Sequence, residues 1–504
     1  MTMLVAPLVA AGCSSSATPS PSASTGPVPS TAPSASAEPS SAVPTLAPTP
    51  TTGPTAAPSP TTPTQAPVTP APTGSWVAAG SLPADWYDGP VVALPGGGAL
   101  AIAGDGSAVA RWDPSTATWS RGTGLATPRW NFAAVALQDG RVLVVGGAND
   151  KQQAYSSAWV YDASTPAGSW SKVGLMGTAR SEPAAALLQD GRVLVAGGAY
   201  FDKPSGGVAP DRQAAAPMLA AYRPGADPDV LSEQPLGDVA PSHTVPALAT
   251  AEVFDPSAGT FSPTGSMRFA RAGAAATTLS DGRVLLVSPG GELWVGSDVG
   301  VQQSQRAAST PEAYDPATGR FSLAGSLPPI DRAAIAADGV EVPTTDPWMT
   351  STGTLVALQD GGALLVGQDV SWKHEADVVR TFRFDGSDAW TQVGPAYAGV
   401  NDWQAGTWRS TPGIDLSGSF AAPLPDGRVL AAGGLEPDPT LGLKATAIAH
   451  AFDPATNAWL DLQQMPTARV GGSTTALADG SILLVGGDWS ESGGETAARF
   501  VPGR

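Results

Sequence analysis

Short apolar runs recur along this chain, each broken by the same polar and glycine punctuation. A small-residue run such as FAAVAL (132–137) leads into Asp139-Gly140, then into RVLVV and the pair Gly146-Gly147. The stretch LQDGRVLVVGG (137–147) returns as LQDGRVLVAGG (188–198) and SDGRVLLVSPGG (280–291). Looser copies are PDGRVLAAGG (425–434), ADGSILLVGG (478–487), QDGGALLVGQ (359–368) and PGGGALAIAG (95–104). Asp-Gly between two β-prone runs specifies a tight hairpin, because the turn needs positive φ at its central positions. The following Gly pair lets backbones approach where a side chain would clash.

Downstream of each hairpin a third strand ends on an aromatic and Asp, and a fourth opens on another aromatic. RWDPSTATW (111–119), VYDASTPAGSW (160–170), VFDPSAGTF (253–261), AYDPATGRF (313–321), RFDGSDAW (383–390) and AFDPATNAW (451–459) share this form. Asp-Pro initiates the turn, and the second aromatic is suited to fill the wedge between neighbouring sheets. Four strands per unit predict seven units at about 84–125, 126–176, 177–267, 268–327, 328–395, 396–465 and 466–502.

The last unit lacks a fourth strand. Fourth strands often read aromatic-x-x-x-Gly, as in Trp170/Gly174, Phe261/Gly265, Phe321/Gly325 and Trp390/Gly394, and SWVAAGSL (75–82) matches with Trp76/Gly80. An N-terminal strand therefore closes the final unit and leaves no open sheet edge. Over residues 75–502 the chain resembles the kelch and galactose-oxidase-type propellers, an all-β, seven-bladed fold. These motifs specify fold and say little about function.

Composition adds two segments. Residues 14–74 are almost entirely Ser, Thr, Pro, Ala and Gly. They cannot bury enough surface to fold and read as a disordered tether. Residues 1–13, MTMLVAPLVAAGC, resemble a lipoprotein signal whose Cys13 is lipidated, although a basic leader region is missing. That resemblance implies an extracytoplasmic protein, lipid-anchored to the outer face of the cytoplasmic membrane and touching the membrane through the anchor only. Cys13 is the single cysteine, so neither an intrachain disulfide nor a cysteine-rich metal cluster is available. A formal charge of −18 argues against a nucleic-acid partner.

Strand alternation puts the uniform Asp-Gly turns on one face and the long, individual loops on the other, which marks the latter as the functional face. An Arg stands ten residues before the hairpin Asp in four blades: Arg129, Arg180, Arg271 and Arg469. Trp86, Thr350 and Leu416 hold that slot in blades 1, 5 and 6. The slot begins the innermost strand, so the arginines are expected to ring the central funnel and favour anionic or hydroxyl-rich ligands; bracing of interblade loops is the alternative.

Eight of the 15 tryptophans (86, 130, 294, 348, 372, 403, 408 and 489) are placed in loops of that face. Trp86, Trp130, Trp403 and Trp489, beside Asp88, Asn131, Glu182 and Arg409, look like sugar-stacking platforms with hydroxyl-binding neighbours. Residues 199–247 read as an insert between the second and third strands of blade 3.

Copper radical oxidases on this fold need a Cys-Tyr cross-link, a second Tyr and two His. Cys13 lies in the leader and His243, His374 and His450 are scattered, which excludes that chemistry; a metal or other cofactor is not expected. Acidic pairs such as Asp227/Asp229 and Glu436/Asp438 read as turns rather than calcium ligands. The expectation is a monomeric, non-catalytic module binding a carbohydrate or an envelope protein. A sugar-acting epimerase or lyase using funnel carboxylates and arginines, and a structural envelope scaffold, are the alternatives.

Overall fold

A computed structural model describes residues 74–83, 89–150, 153–165, 167–199, 247–288, 310–340, 342, 349–350, 353–372, 376–402, 407–410, 415–438, 442–487 and 496–503. Cys13, the leader, the tether and residues 200–246 of the insert lie outside them.

Among the described residues seven antiparallel sheets form the blades, their strands lying between 91–122, 130–175, 184–263, 275–323, 354–392, 420–461, and 473–502 with 74–81. In blade 2 the strands are Trp130–Ala136, Val142–Ala148, Ser157–Asp162 and Ser169–Leu175. The innermost strand of each blade adjoins those of its two neighbours, and blade 7 meets blade 1, so the ring is closed. Second strands such as Val142–Ala148 and Val193–Ala196 are buried throughout, because both faces of their sheet are covered by adjacent blades.

The N-terminal strand Gly74–Ser81 completes blade 7, with Gly74 opposite Pro502 and Trp76 opposite Phe500. The Trp76 ring lies 5.1 Å from Phe500, and its indole N–H donates to the Gln463 carbonyl of blade 6 at 2.7 Å. Trp119 donates to Ala79, Trp170 to Thr123 and Trp390 to Ala324 in the same way, each reaching the outer strand of the preceding blade. The wedge aromatics thus fill volume, and these four tryptophans supply one interblade hydrogen bond each.

The glycines of the repeat sit where blades touch. A Cβ at Gly197 would collide with the Arg271 carbonyl of the next blade, while Gly198 N–H donates to that same oxygen at 2.7 Å. On the opposite face each hairpin Asp is fixed locally: Asp139 accepts from Arg141 N at 3.0 Å and pairs with its guanidinium at 2.6 Å. Gln138 and Gln189 then donate to carbonyls of the neighbouring turn. That face is uniform because it is built from repeated local bonds.

Blade 5 departs from the four-strand expectation. Its sheet holds seven strands, with Ala363–Trp372 and Ala376–Phe384 running past the blade and pairing with Met349–Thr350 and Tyr397–Asp402. Thr407–Ser410 adds to the edge. Trp372 and Trp408 therefore lie in strands, not loops, as does Trp130 at the head of Trp130–Ala136, and Tyr397–Asp402 and Thr407–Ser410 belong with blade 5 instead of opening blade 6. A second hairpin, Leu435–Asp438 with Gly442–Ala445, rises from blade 6, so Glu436 is a strand residue paired with Lys444 at 3.2 Å and not a turn acid.

Candidate functional site

The four slot arginines do not line an open funnel. Arg129, Arg180, Arg271 and Arg469 are among the most deeply buried side chains of the described residues, at 0–2% exposure. Arg180 donates to the Gly197 and Thr250 carbonyls, both at 2.8 Å, to the Thr250 hydroxyl at 3.0 Å and to Glu252 at 3.1 Å. Arg129 repeats this with Gly146 and Ser157, and Arg469 with Gly486 and Thr496. Arg271 reaches Thr310 at 2.6 Å and Glu312 at 2.9 Å.

The physical reason is the Gly-Gly step, which leaves a carbonyl of the second strand unpaired beside the start of the third. A planar guanidinium spans both and satisfies them. Burial draws Arg129 down to about 10, partly offset by Tyr155, which leaves it charged at neutral pH. The geometry supports bracing by hydrogen bonds to carbonyls, as in the alternative reading, but the carbonyls belong to the arginine's own blade and not to interblade loops.

Two residues after the slot the chain does something different. Asn131 has φ 58° and Glu182 φ 54°, both left-handed. The same position in blades 4, 6 and 7 is Gly273, Gly418 and Gly471, at φ 62°, 65° and 71°. These residues link neighbouring blades: Glu182 N–H donates to the Asn131 carbonyl at 2.8 Å, Gly273 to Glu182 at 3.0 Å, and Gly471 to Gly418 at 2.8 Å. Glycine is the low-strain choice there, and a side chain costs about 1–2 kcal/mol.

Blades 2 and 3 carry side chains nonetheless, and those side chains meet. Asn131 Nδ2 donates to Glu182 Oε1 at 3.0 Å. Asn131 is exposed, Glu182 is half-buried, and Trp130 beside them is 43% exposed. Burial pushes the Glu182 carboxyl above its usual range. Asn131 and Glu182 thus meet at the head of the inner strands, on the loop-rich face, with Trp130 next to Asn131 in the chain.

No protein-family model matches the chain. Over 151 residues it is 30% identical to the Kelch-like protein terF of Aspergillus terreus (strain NIH 2624 / FGSC A1156), a match covering 29% of this chain and 30% of that protein. The matched stretch spans less than a third of the relative, and the described residues form a ring of seven sheets built on the repeated Asp-Gly and Asp-Pro turns. The chain is a kelch-type β-propeller.

Among solved structures the chain is similar to the structure of YjhT, at a TM-score of 0.41 and 15% identity, covering 74% of this chain and 94% of that one. It is also similar to a fungal alcohol oxidase of the AA5 family in complex with copper, at 0.48 and 14%, covering 85% and 76%. Identities this low do not carry an activity from one chain to another.

Of the remaining site candidates of this kelch-type propeller, Trp86, Asp88, Trp403 and Trp489 lie outside the described residues. Arg409 sits in the strand Thr407–Ser410, with its side chain outside them. The inner strands of blades 4 to 7 border a cavity of about 490 Å³, lined by residues including Thr277, Thr354, Ser419 and Ser473, none of them singled out from the sequence.

Arg380 was also missed. It is buried, drawn down to about 10 by burial, and donates to the Pro328 carbonyl at 2.7 Å and to Gln368 at 3.0 Å. Its position in the third strand of blade 5 matches that of Thr250 in blade 3, so it supplies from the opposite strand the guanidinium that the Thr350 slot lacks. The signal available was the absence of Arg at Thr350.

Proposed function

We propose that this propeller is a lipid-anchored, extracytoplasmic binding module whose loop-rich face takes a carbohydrate at the junction of blades 2 and 3. The observation that carries the reading is the Asn131–Glu182 pair, held in left-handed backbone where blades 4, 6 and 7 use glycine. A strained position occupied by a functional group at the mouth of a fold points to a ligand. Trp130 supplies an exposed ring on which a sugar face stacks, and the Asn131 amide and Glu182 carboxylate supply partners for its hydroxyls.

A glycan array probed with the protein and with its Trp130→Ala variant tests this. Hits that disappear in the variant support the site, and an array silent for both points to a protein partner. Anchoring through Cys13 is tested separately, since Cys13→Ala releases an anchored protein from the membrane fraction.

One feature favours a second reading, a sugar-acting enzyme such as an epimerase or lyase. Burial raises the Glu182 carboxyl toward the range useful for proton transfer. Altered sugar recovered after incubation distinguishes the enzyme from the binding module. Copper radical chemistry is not part of either proposal, because Cys13 is the only cysteine and lies far in sequence from the propeller.

A further inference from the structure

The buried glutamates Glu252 and Glu312, in blades 3 and 4, are fully compensated. Glu252 accepts from Gly177 N, Thr178 N and the Arg180 guanidinium, and Glu312 from Arg268 N, Phe269 N and the Arg271 guanidinium. Each thus has two backbone donors and a cation. Glu182 is half-buried and receives one bond, from the neutral amide of Asn131. Among the described residues no Lys or Arg forms an ion pair with it, in a chain whose formal charge is −18. A carboxylate removed from water without a counter-charge is costly, and a cationic ligand group would offset that cost on binding.

We infer that Glu182 is the counter-ion for an ammonium group, and that the ligand is an amino sugar presenting a free amine. The inference rests on the carbohydrate reading above and narrows it. The exposed Trp130 ring is the second half of the site. Its face attracts a cation as well as an apolar sugar face, so ammonium and ring would be recognised together. Asn131 orients the carboxylate and keeps one of its oxygens occupied, leaving the other for the ligand. A neutral or N-acetylated sugar fills the same space without supplying the charge.

The test is calorimetric titration of the protein with glucosamine oligomers and with N-acetylglucosamine oligomers of equal length. The amine form is expected to bind at least about tenfold more tightly, the scale of one charge-assisted hydrogen bond. Glu182→Gln keeps the shape and removes the charge, so it should abolish that preference, while Trp130→Ala should weaken both ligands. Equal affinities for the two oligomers, with Trp130→Ala still weakening both, would overturn the ammonium site and leave the carbohydrate reading standing. Loss of all sugar binding from the array would overturn both. Tri-lysine binding as tightly as the glucosamine oligomer would show cation recognition without a sugar and overturn the amino-sugar assignment.

Discussion

Arg180 and Glu252 meet 3.1 Å apart inside blade 3, with side-chain exposures of 0% and 6%. Glu252 also caps Gly177 N and Thr178 N in the link entering that blade, so one carboxylate ties the link, the slot and the third strand together. Removing one partner of a buried, hydrogen-bonded pair strands the other. Glu252→Ala should cost about 3–5 kcal/mol of stability, read from chemical unfolding. Trp130→Ala, at an exposed position, should change stability by no more than about 0.5 kcal/mol. Similar losses in the two variants would mean that Trp130 is packing and not platform.

Ring closure makes a second prediction. The strand Gly74–Ser81 contributes Trp76, packed on Phe500 and bonded to blade 6, and Ala79, whose carbonyl accepts from Trp112 at 3.1 Å and Trp119 at 2.8 Å. A chain beginning at Pro83 loses all of these contacts and exposes the edge of Thr496–Pro502. It should lose several kcal/mol relative to one beginning at Gly74, given roughly 3 kcal/mol or more for a large aromatic alone, or aggregate through the bare edge. Equal melting temperatures for the two chains would mean that the N-terminal strand does not close the ring.

How far sequence reasoning reached depended on how local each determinant is. Asp139-Gly140 and the Asp-Pro turns announce themselves because their conformation is set within four residues. Trp76 was legible as the closing strand because the same aromatic-x-x-x-Gly spacing recurs in other blades. The arginine slot was legible as a position but not as an orientation. Whether Arg180 faces the axis or the blade depends on carbonyls left bare by Gly197, 17 residues away, and by Thr250, 70 away. Arg380 and the strands of 397–410 were hidden for the same reason, since their partners are distant and follow no repeat. Glu182 was legible as a polar neighbour of the tryptophans, and aligning it with Gly273 and Gly471, which hold the same offset from their arginines, would have marked its left-handed backbone as well.

His450 carries the third prediction. In blade 6 it takes the strand position that Glu252 and Glu312 hold in blades 3 and 4, and Leu416 replaces the arginine there. Its Nδ1 lies 3.1 Å from Asp461, and it is 7% exposed. Burial lowers its pKa below 6.5, with Asp461 partly offsetting. The folded state thus resists a proton that the unfolded chain accepts. Its contribution is whole above about pH 6.5 and is lost as pH falls from there toward the folded value. Urea melts of the wild type and of His450→Leu from about pH 7.5 to 5 should show the wild type losing more stability on acidification. Parallel curves would mean that His450 is not the group responsible.

Glu182 reverses the sign. Its folded pKa is raised above 4.5 by burial, so the folded state holds a proton that the unfolded chain releases. The favourable contribution is present below about pH 4.5 and is lost as pH rises through the folded value, leaving a penalty at neutral pH. The left-handed backbone at φ 54° adds a second penalty, of about 1–2 kcal/mol for a residue with a Cβ. Glu182→Gly removes both and gives up only the bond from the Asn131 amide, which is exposed and can turn to water. The variant should therefore be more stable than the wild type by about 1 kcal/mol at pH 7, with a smaller gain near pH 4. It should also lose ligand binding. A group that weakens the fold and strengthens a complex is retained for the complex. If Glu182→Gly instead destabilises the propeller on the scale expected for Glu252→Ala, then Glu182 is part of the interblade link, and the binding site must be sought on another stretch of the mouth.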